Sequence, residues 1–114
     1  GLGDVYKRQV MVKLSMTETE FLERADAEIN RLQDLIENDY EDADCTRSGN
    51  VLSIELESGA QIVVNIQTPM QEIWLASHLG GMHFEPTTQG WINPRDGRTL
   101  EASARQAVEA LLAH

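Results

Sequence analysis

The chain has 114 residues, a net charge of −10 and 41% hydrophobic residues, the bounds of one domain with a single modest core. That charge argues against nucleic acid, whose phosphates need lysine and arginine opposite them, and favours cations or a basic protein surface. No apolar run approaches the roughly eighteen residues of a membrane helix. No secretory signal pattern is expected either. Cys45, the only cysteine, excludes an internal disulfide and fits a reducing, cytoplasmic compartment.

Residues 1–15 look foreign to the fold. Asp4-Val5-Tyr6-Lys7-Arg8-Gln9 resembles the translated end of a sequencing adaptor, and an ordinary disordered tail is the alternative. Residues 16–114 are expected to form the single domain. A first helix is predicted from about Thr17 to Glu37 or Asn38, opened by the Thr17–Glu20 capping box. Leu22, Ala25, Ile29, Leu32 and Ile36 recur at helical steps and form its apolar face. Glu23, Asn30, Asp34, Glu37 and, if the helix continues that far, Glu41 share a different face. Carboxylates at a helix C-terminus oppose the macrodipole, so local stability does not account for them, and cations are favoured there.

The segment Glu37–Asp44 carries five carboxylates and no cation. It lacks the D-x-D-x-D-G order of an EF-hand, so calcium is not indicated and any metal site is open and weak. A solvated acidic face is the plainer reading. Strands are expected at Asp44–Arg47, Asn50–Glu57, Gln61–Gln67, Glu72–Ala76, Met82–Glu85 and Gly90–Asn93, separated by turn residues. In Glu72–Ala76, Trp74 faces away from the helices if Ile73 and Leu75 face them. The amides of Asn65, Gln67 and Gln71 lie near that indole around one turn. Thr99 caps a second helix whose stripe is Leu100, Ala104, Ala107, Val108, Leu111 and Leu112. Helix, strands, helix reads as an α+β two-layer sandwich, two terminal helices on one face of an antiparallel sheet.

No nucleophile elbow, phosphate-binding glycine loop or H-E-x-x-H is present, and the acids sit in hydrophilic runs rather than apolar pockets. An enzyme is not expected. His78 and His83 flank a Gly80-Gly81 turn on opposite sides, which does not suit one metal cage, and His83 reads as a structural strand residue. Cys45 reads as a buried or edge-strand thiol, and Trp91 as structural.

The series N-x-Q-x-P-x-x-E-I-W-L-A (Asn65–Ala76), G-G-x-H-F (Gly80–Phe84), W-I (Trp91-Ile92) and R-x-G-x-T (Arg95–Thr99) resembles the frataxin family, in its bacterial CyaY-type branch. The order and spacing hold from Met16 nearly to the end, so Met16 fits the family start better than Met11. The family's fold is the sandwich already reached from the pattern. The resemblance implies a weak, surface-exposed iron binder that regulates iron–sulfur cluster assembly. Its partners would be the cysteine desulfurase and the scaffold protein. Carried over by position, Asp34, Glu37, Asp39, Glu41, Asp42 and Asp44 are the metal candidates. Glu23 and Asp26, with Asn65, Gln67 and Trp74 on the sheet, are the partner-binding candidates. The segment before Cys45 is about two residues shorter than in the family, and Gln33 and Asn38 stand where further acids are expected; amides coordinate less strongly than carboxylates, which lowers the expected iron affinity. A monomer is expected, with an iron-dependent oligomer as the variant state. The alternatives are an iron-storing or ferroxidase-type oligomer, and an acidic binding module without a metal role.

Overall fold

The computed structural model describes residues 13–113, so the reading of residues 1–12 lies outside the described residues. Helix α1 spans Glu18–Asp39. The Thr17 hydroxyl accepts the Glu20 N–H at 3.1 Å, and the Glu20 carboxylate accepts the Thr17 N–H at 3.2 Å. Two backbone donors that the helix itself cannot satisfy are thereby paired. The helix stops at Tyr40, whose backbone is extended, so Glu41 and Asp42 fall in the following turn.

Phe21, Ala25, Ile29, Leu32 and Ile36 are fully buried. Phe21 takes the place expected for Leu22, because it continues the four-residue step through Ala25 and Ile29. Leu22 sits about 100° further round the helix, half-buried at the rim.

Six strands follow: β1 (Ala43–Ser48), β2 (Val51–Leu56), β3 (Gln61–Gln67), β4 (Glu72–Ser77), β5 (Gly80–Thr87) and β6 (Gly90–Ile92). They lie in sequence order, each antiparallel to the next. Alternation sorts them by face. Leu52, Ile54, Leu56, Ile62, Val64, Ile66, Ile73, Leu75 and Phe84 are buried toward the helices. The sharp turn before β4 needs a positive φ of 50° at Gln71. Its side-chain amide donates to the Met16 carbonyl at 2.9 Å, so Gln71 anchors the approach to α1 and not the indole neighbourhood. Ahead of α1, Lys13 bridges Thr87 and the Leu14 N–H donates to the Pro86 carbonyl at 2.7 Å.

Helix α2 spans Leu100–Leu112 and is capped by Thr99, which accepts the Ala102 N–H at 3.0 Å. Its buried side is Leu100, Ser103, Ala104, Ala107 and Val108; Leu112, expected in the stripe, is 42% exposed. The small residues at 103, 104 and 107 let the helix backbone come close to its neighbours. Arg31 pairs with Glu101, Asp39 with Arg105, and Tyr40 with Glu109. Residue numbers rise together on both helices, so α1 and α2 run parallel and their C-terminal ends share one pole.

Trp91 packs edge-on against Phe21, with centroids 5.9 Å apart and planes at 67°, closing the core at the N-terminal end of α1. Phe21→Ala is expected to cost about 3–5 kcal/mol of unfolding free energy in urea titration, and Leu22→Ala clearly less. The buried Ser103 hydroxyl has no hydrogen-bond partner among the described residues. Ser103→Ala should therefore be neutral or stabilising, by up to about 1 kcal/mol.

Candidate functional site

Burying one stripe of α1 fixes where its acids point. Glu23, Asp26, Asp34 and Glu37 lie on the flank toward β1, all exposed. The N-terminal part of this flank is neutralised by Arg47, which reaches from β1 to Asp26 Oδ1 at 2.5 Å and to Asn30 Oδ1 at 2.7 Å. Further along, Gln33 donates to Glu37 at 2.8 Å, an amide supporting a carboxylate without cancelling its charge. Asp39 lies on the opposite flank, 2.7 Å from Arg105 of α2, and is drawn away from Asp34 and Glu37. Glu41, Asp42 and Asp44 are exposed in the turn and at the start of β1. Asp34, Glu41, Asp42 and Asp44 make no ion pair with another described residue. Among the described residues, no three His, Cys, Asp or Glu side chains form a group that could hold a metal ion. The acids make an open electrostatic surface rather than a cage.

Two causes deepen the negative potential at this pole. Neither helix has a basic residue in its last turn, and the parallel helices bring two macrodipole C-termini together. Arg105 answers part of it, contacting Asp39, Glu101 and the Tyr40 hydroxyl. Burial and the Glu109 carboxylate raise the Tyr40 hydroxyl above its ordinary range. The Arg31 guanidinium, with Arg105 adding to it, holds Glu101 below the usual carboxylate value.

A second surface lies on the sheet face away from the helices. Register aligns Ser48, Val51, Asn65, Trp74 and His83 in one row across β1 to β5. Gln67 lies opposite Glu72 in the next row. Asn65, Gln67 and Trp74 therefore share one half-exposed patch, with Trp74 facing outward as the alternation predicts. His83 stacks on Trp74 with centroids 4.5 Å apart and planes at 8°. The Trp74 indole N–H donates to Glu72 Oε1 at 2.8 Å.

Glu72 and His83 belong to this patch and are absent from the sequence-derived candidates. Glu72 alternates with Trp74, a signal present in the chain, whereas pairing of His83 with Trp74 depends on the register of β5. Arg47 is the other residue missed. It lies on a strand, and only packing of β1 beside α1 brings it to Asp26.

Cys45 is half-buried on the edge strand β1, as expected. Burial pushes its thiol up to about 11, and the Glu37 and Asp44 carboxylates add to the effect. The folded state thus favours the neutral thiol; its contribution is intact below the unfolded value and is lost as pH rises toward 11. Alkylation of Cys45 at neutral pH should be about 100-fold slower in the folded chain than in urea. Equal rates would contradict the raised thiol value.

A model of the frataxin-like domain matches residues 14–113. The iron-sulfur cluster assembly protein CyaY of Janthinobacterium sp. (strain Marseille) is 48% identical over 98 residues, covering 82% of this chain and 88% of that protein. Its counterpart in Neisseria meningitidis serogroup B is 42% identical over 102 residues, covering 82% and 95%. Among solved structures, frataxin from Psychromonas ingrahamii superposes with a TM-score of 0.76 at 28% identity, covering 82% of this chain and 89% of that one. Trimeric yeast frataxin complexed with ferrous iron gives a TM-score of 0.62 at 25% identity, covering 90% and 92%. The helix-flanked six-stranded sheet, the motif series and these relatives agree: the chain belongs to the frataxin family, in its bacterial CyaY branch.

Proposed function

We propose that this chain works in iron–sulfur cluster assembly as a non-catalytic, weak iron binder that docks on a cysteine desulfurase and its scaffold protein. The observation that carries the reading is the acidic pole. Asp34, Glu37, Glu41, Asp42 and Asp44 are exposed beside two helix C-termini. Such a surface attracts hard cations without fixing their coordination, and it meets a basic protein patch at long range. Names of the relatives support the pathway: the similar proteins of Janthinobacterium and Neisseria are iron-sulfur cluster assembly proteins.

Asp34, Glu37, Glu41, Asp42 and Asp44 are the metal-attracting acids in this reading. Asp39 contributes through its charge, since it is already paired with Arg105. Glu23 and Asp26 extend the desulfurase-facing flank, with Arg47 limiting the share of Asp26. Trp74, Asn65 and Gln67 face the scaffold. Tryptophan suits such a contact because one large rigid side chain covers much area at low entropic cost.

The test is binding to the same organism's cysteine desulfurase at low salt and at about 0.15 M, with and without ferrous iron. Affinity should fall with salt. Changing Asp34, Glu37, Glu41 and Asp42 together to their amides should weaken binding about tenfold or more, with thermal stability kept or raised. Unchanged desulfurase and iron binding in that variant sinks the acidic-pole reading. Trp74→Ala should cost about 2 kcal/mol or more in scaffold binding and leave bulk iron binding alone.

The yeast relative, a trimer complexed with ferrous iron, favours a second reading as an iron-loaded oligomer. Sedimentation with excess ferrous iron separates the two: a monomer at all loadings removes the oligomer.

A further inference from the structure

Beside Trp74, one buried carboxylate serves two rings. Glu72 is 8% exposed, and its Oε1 accepts the Trp74 indole N–H at 2.8 Å. The same oxygen lies 3.8 Å from Nδ1 of His83. His83 lies flat on the indole at 4.5 Å, and its side chain is 54% exposed, so solvent protons reach it. Other charged groups lie nearby. Arg95, from the loop after β6, borders the same cleft with Asn93. Glu85 lies two residues along β5 on the same face and is held by Lys13 at 3.8 Å. From β3, the side chain in the row is the neutral Asn65.

An imidazole changes charge between about pH 5 and 8. Neutral, it stacks on the indole as one aromatic plane on another. Protonated, it gains cation–π attraction to the indole, and both its ring nitrogens become donors. Nδ1–H then competes with the indole N–H for Glu72 Oε1. We propose that Glu72, Trp74 and His83 form a proton-sensitive unit. Protonation of His83 draws Glu72 toward the imidazole, loosens the indole hydrogen bond and adds a positive charge to the outward face of the sheet. The balance is simple: one proton moves from solvent to His83, and no covalent bond changes. The effect on docking rests on the reading of this face as the scaffold-binding one; the switch itself does not.

The test is a pH titration of the full chain by proton–nitrogen correlation spectra, following the Trp74 indole N–H, assigned with Trp74→Phe. Its resonance should move through one transition, together with the His83 ring protons, as the imidazole takes up a proton. His83→Gln should abolish the movement, and Glu72→Gln should shrink it, since an amide offers no charge for the imidazolium to draw. An indole resonance that stays fixed, or that still moves in His83→Gln, overturns the proposal; the latter result would assign the transition to another group such as His78. Scaffold affinity should differ about threefold between the two ends of that transition and lose that dependence in His83→Gln. A moving resonance with no scaffold binding at either pH upholds the switch and removes the scaffold-facing reading. A moving resonance with pH-independent binding overturns the effect on docking.

Discussion

The five α1 side chains with no solvent exposure, Phe21, Ala25, Ile29, Leu32 and Ile36, fix the rotation of that helix on the sheet and, with it, the direction of every acid it carries. Each of these positions lies three or four residues from the next, so no other rotation buries all five. Turning the helix to bury an acid would place an unpaired charge in the core, at a cost of several kcal/mol. Hydrophobic burial and charge exposure are thus one constraint seen from two sides. The capping box at Thr17 and the Phe21–Trp91 contact hold the same end of the helix, where the rotation is set.

That packing creates an electrostatic tension at the other end. Parallel helices add their dipoles, and their C-terminal pole receives acids from α1, the following turn and β1. Arg105 braces the pole from within, between Asp39, Glu101 and Tyr40, and Arg31, held by Glu28 on its own helix, ties the helices together through Glu101. These guanidiniums stabilise the junction and leave Asp34, Glu37, Glu41, Asp42 and Asp44 facing solvent. Each exposed ion pair contributes modestly. Their value here is positional, dividing the acids into those that hold the helices together and those that stay available.

The sheet does corresponding work on its far face. Because neighbouring strands pair without a crossover, a single row gathers one residue from each of five strands, among them Asn65, Trp74 and His83. Trp74 is oriented from beneath by Glu72 and from the side by His83. A tryptophan restrained in this way loses less freedom on meeting a partner than a mobile one. The indole row lies on the outward face of the sheet, whereas most of the acids lie on α1 and the turn after it, with Asp44 at the start of β1.

Much of this was legible in the chain. Helical spacing, strand alternation, turn residues and the capping box determined the elements and their order, because each depends on neighbours within a few residues. The motif series identified the family, and alternation alone predicted the outward face of Trp74. Local signals did not separate Phe21 from Leu22, since either can begin an apolar stripe, and only contact with Trp91 and the sheet decides between them. Nor did they show that Gln71 turns back to Met16, that Asp39 is taken by Arg105, or that Asp26 is met by Arg47. Those pairings join residues 21 to 66 positions apart in sequence. The sequence by itself determined the sandwich, its excess of acid and its outward indole. Tertiary structure alone decided which acids the described arginines take up and which ring covers the indole, because charge pairing and stacking depend on distances that the packed layers set.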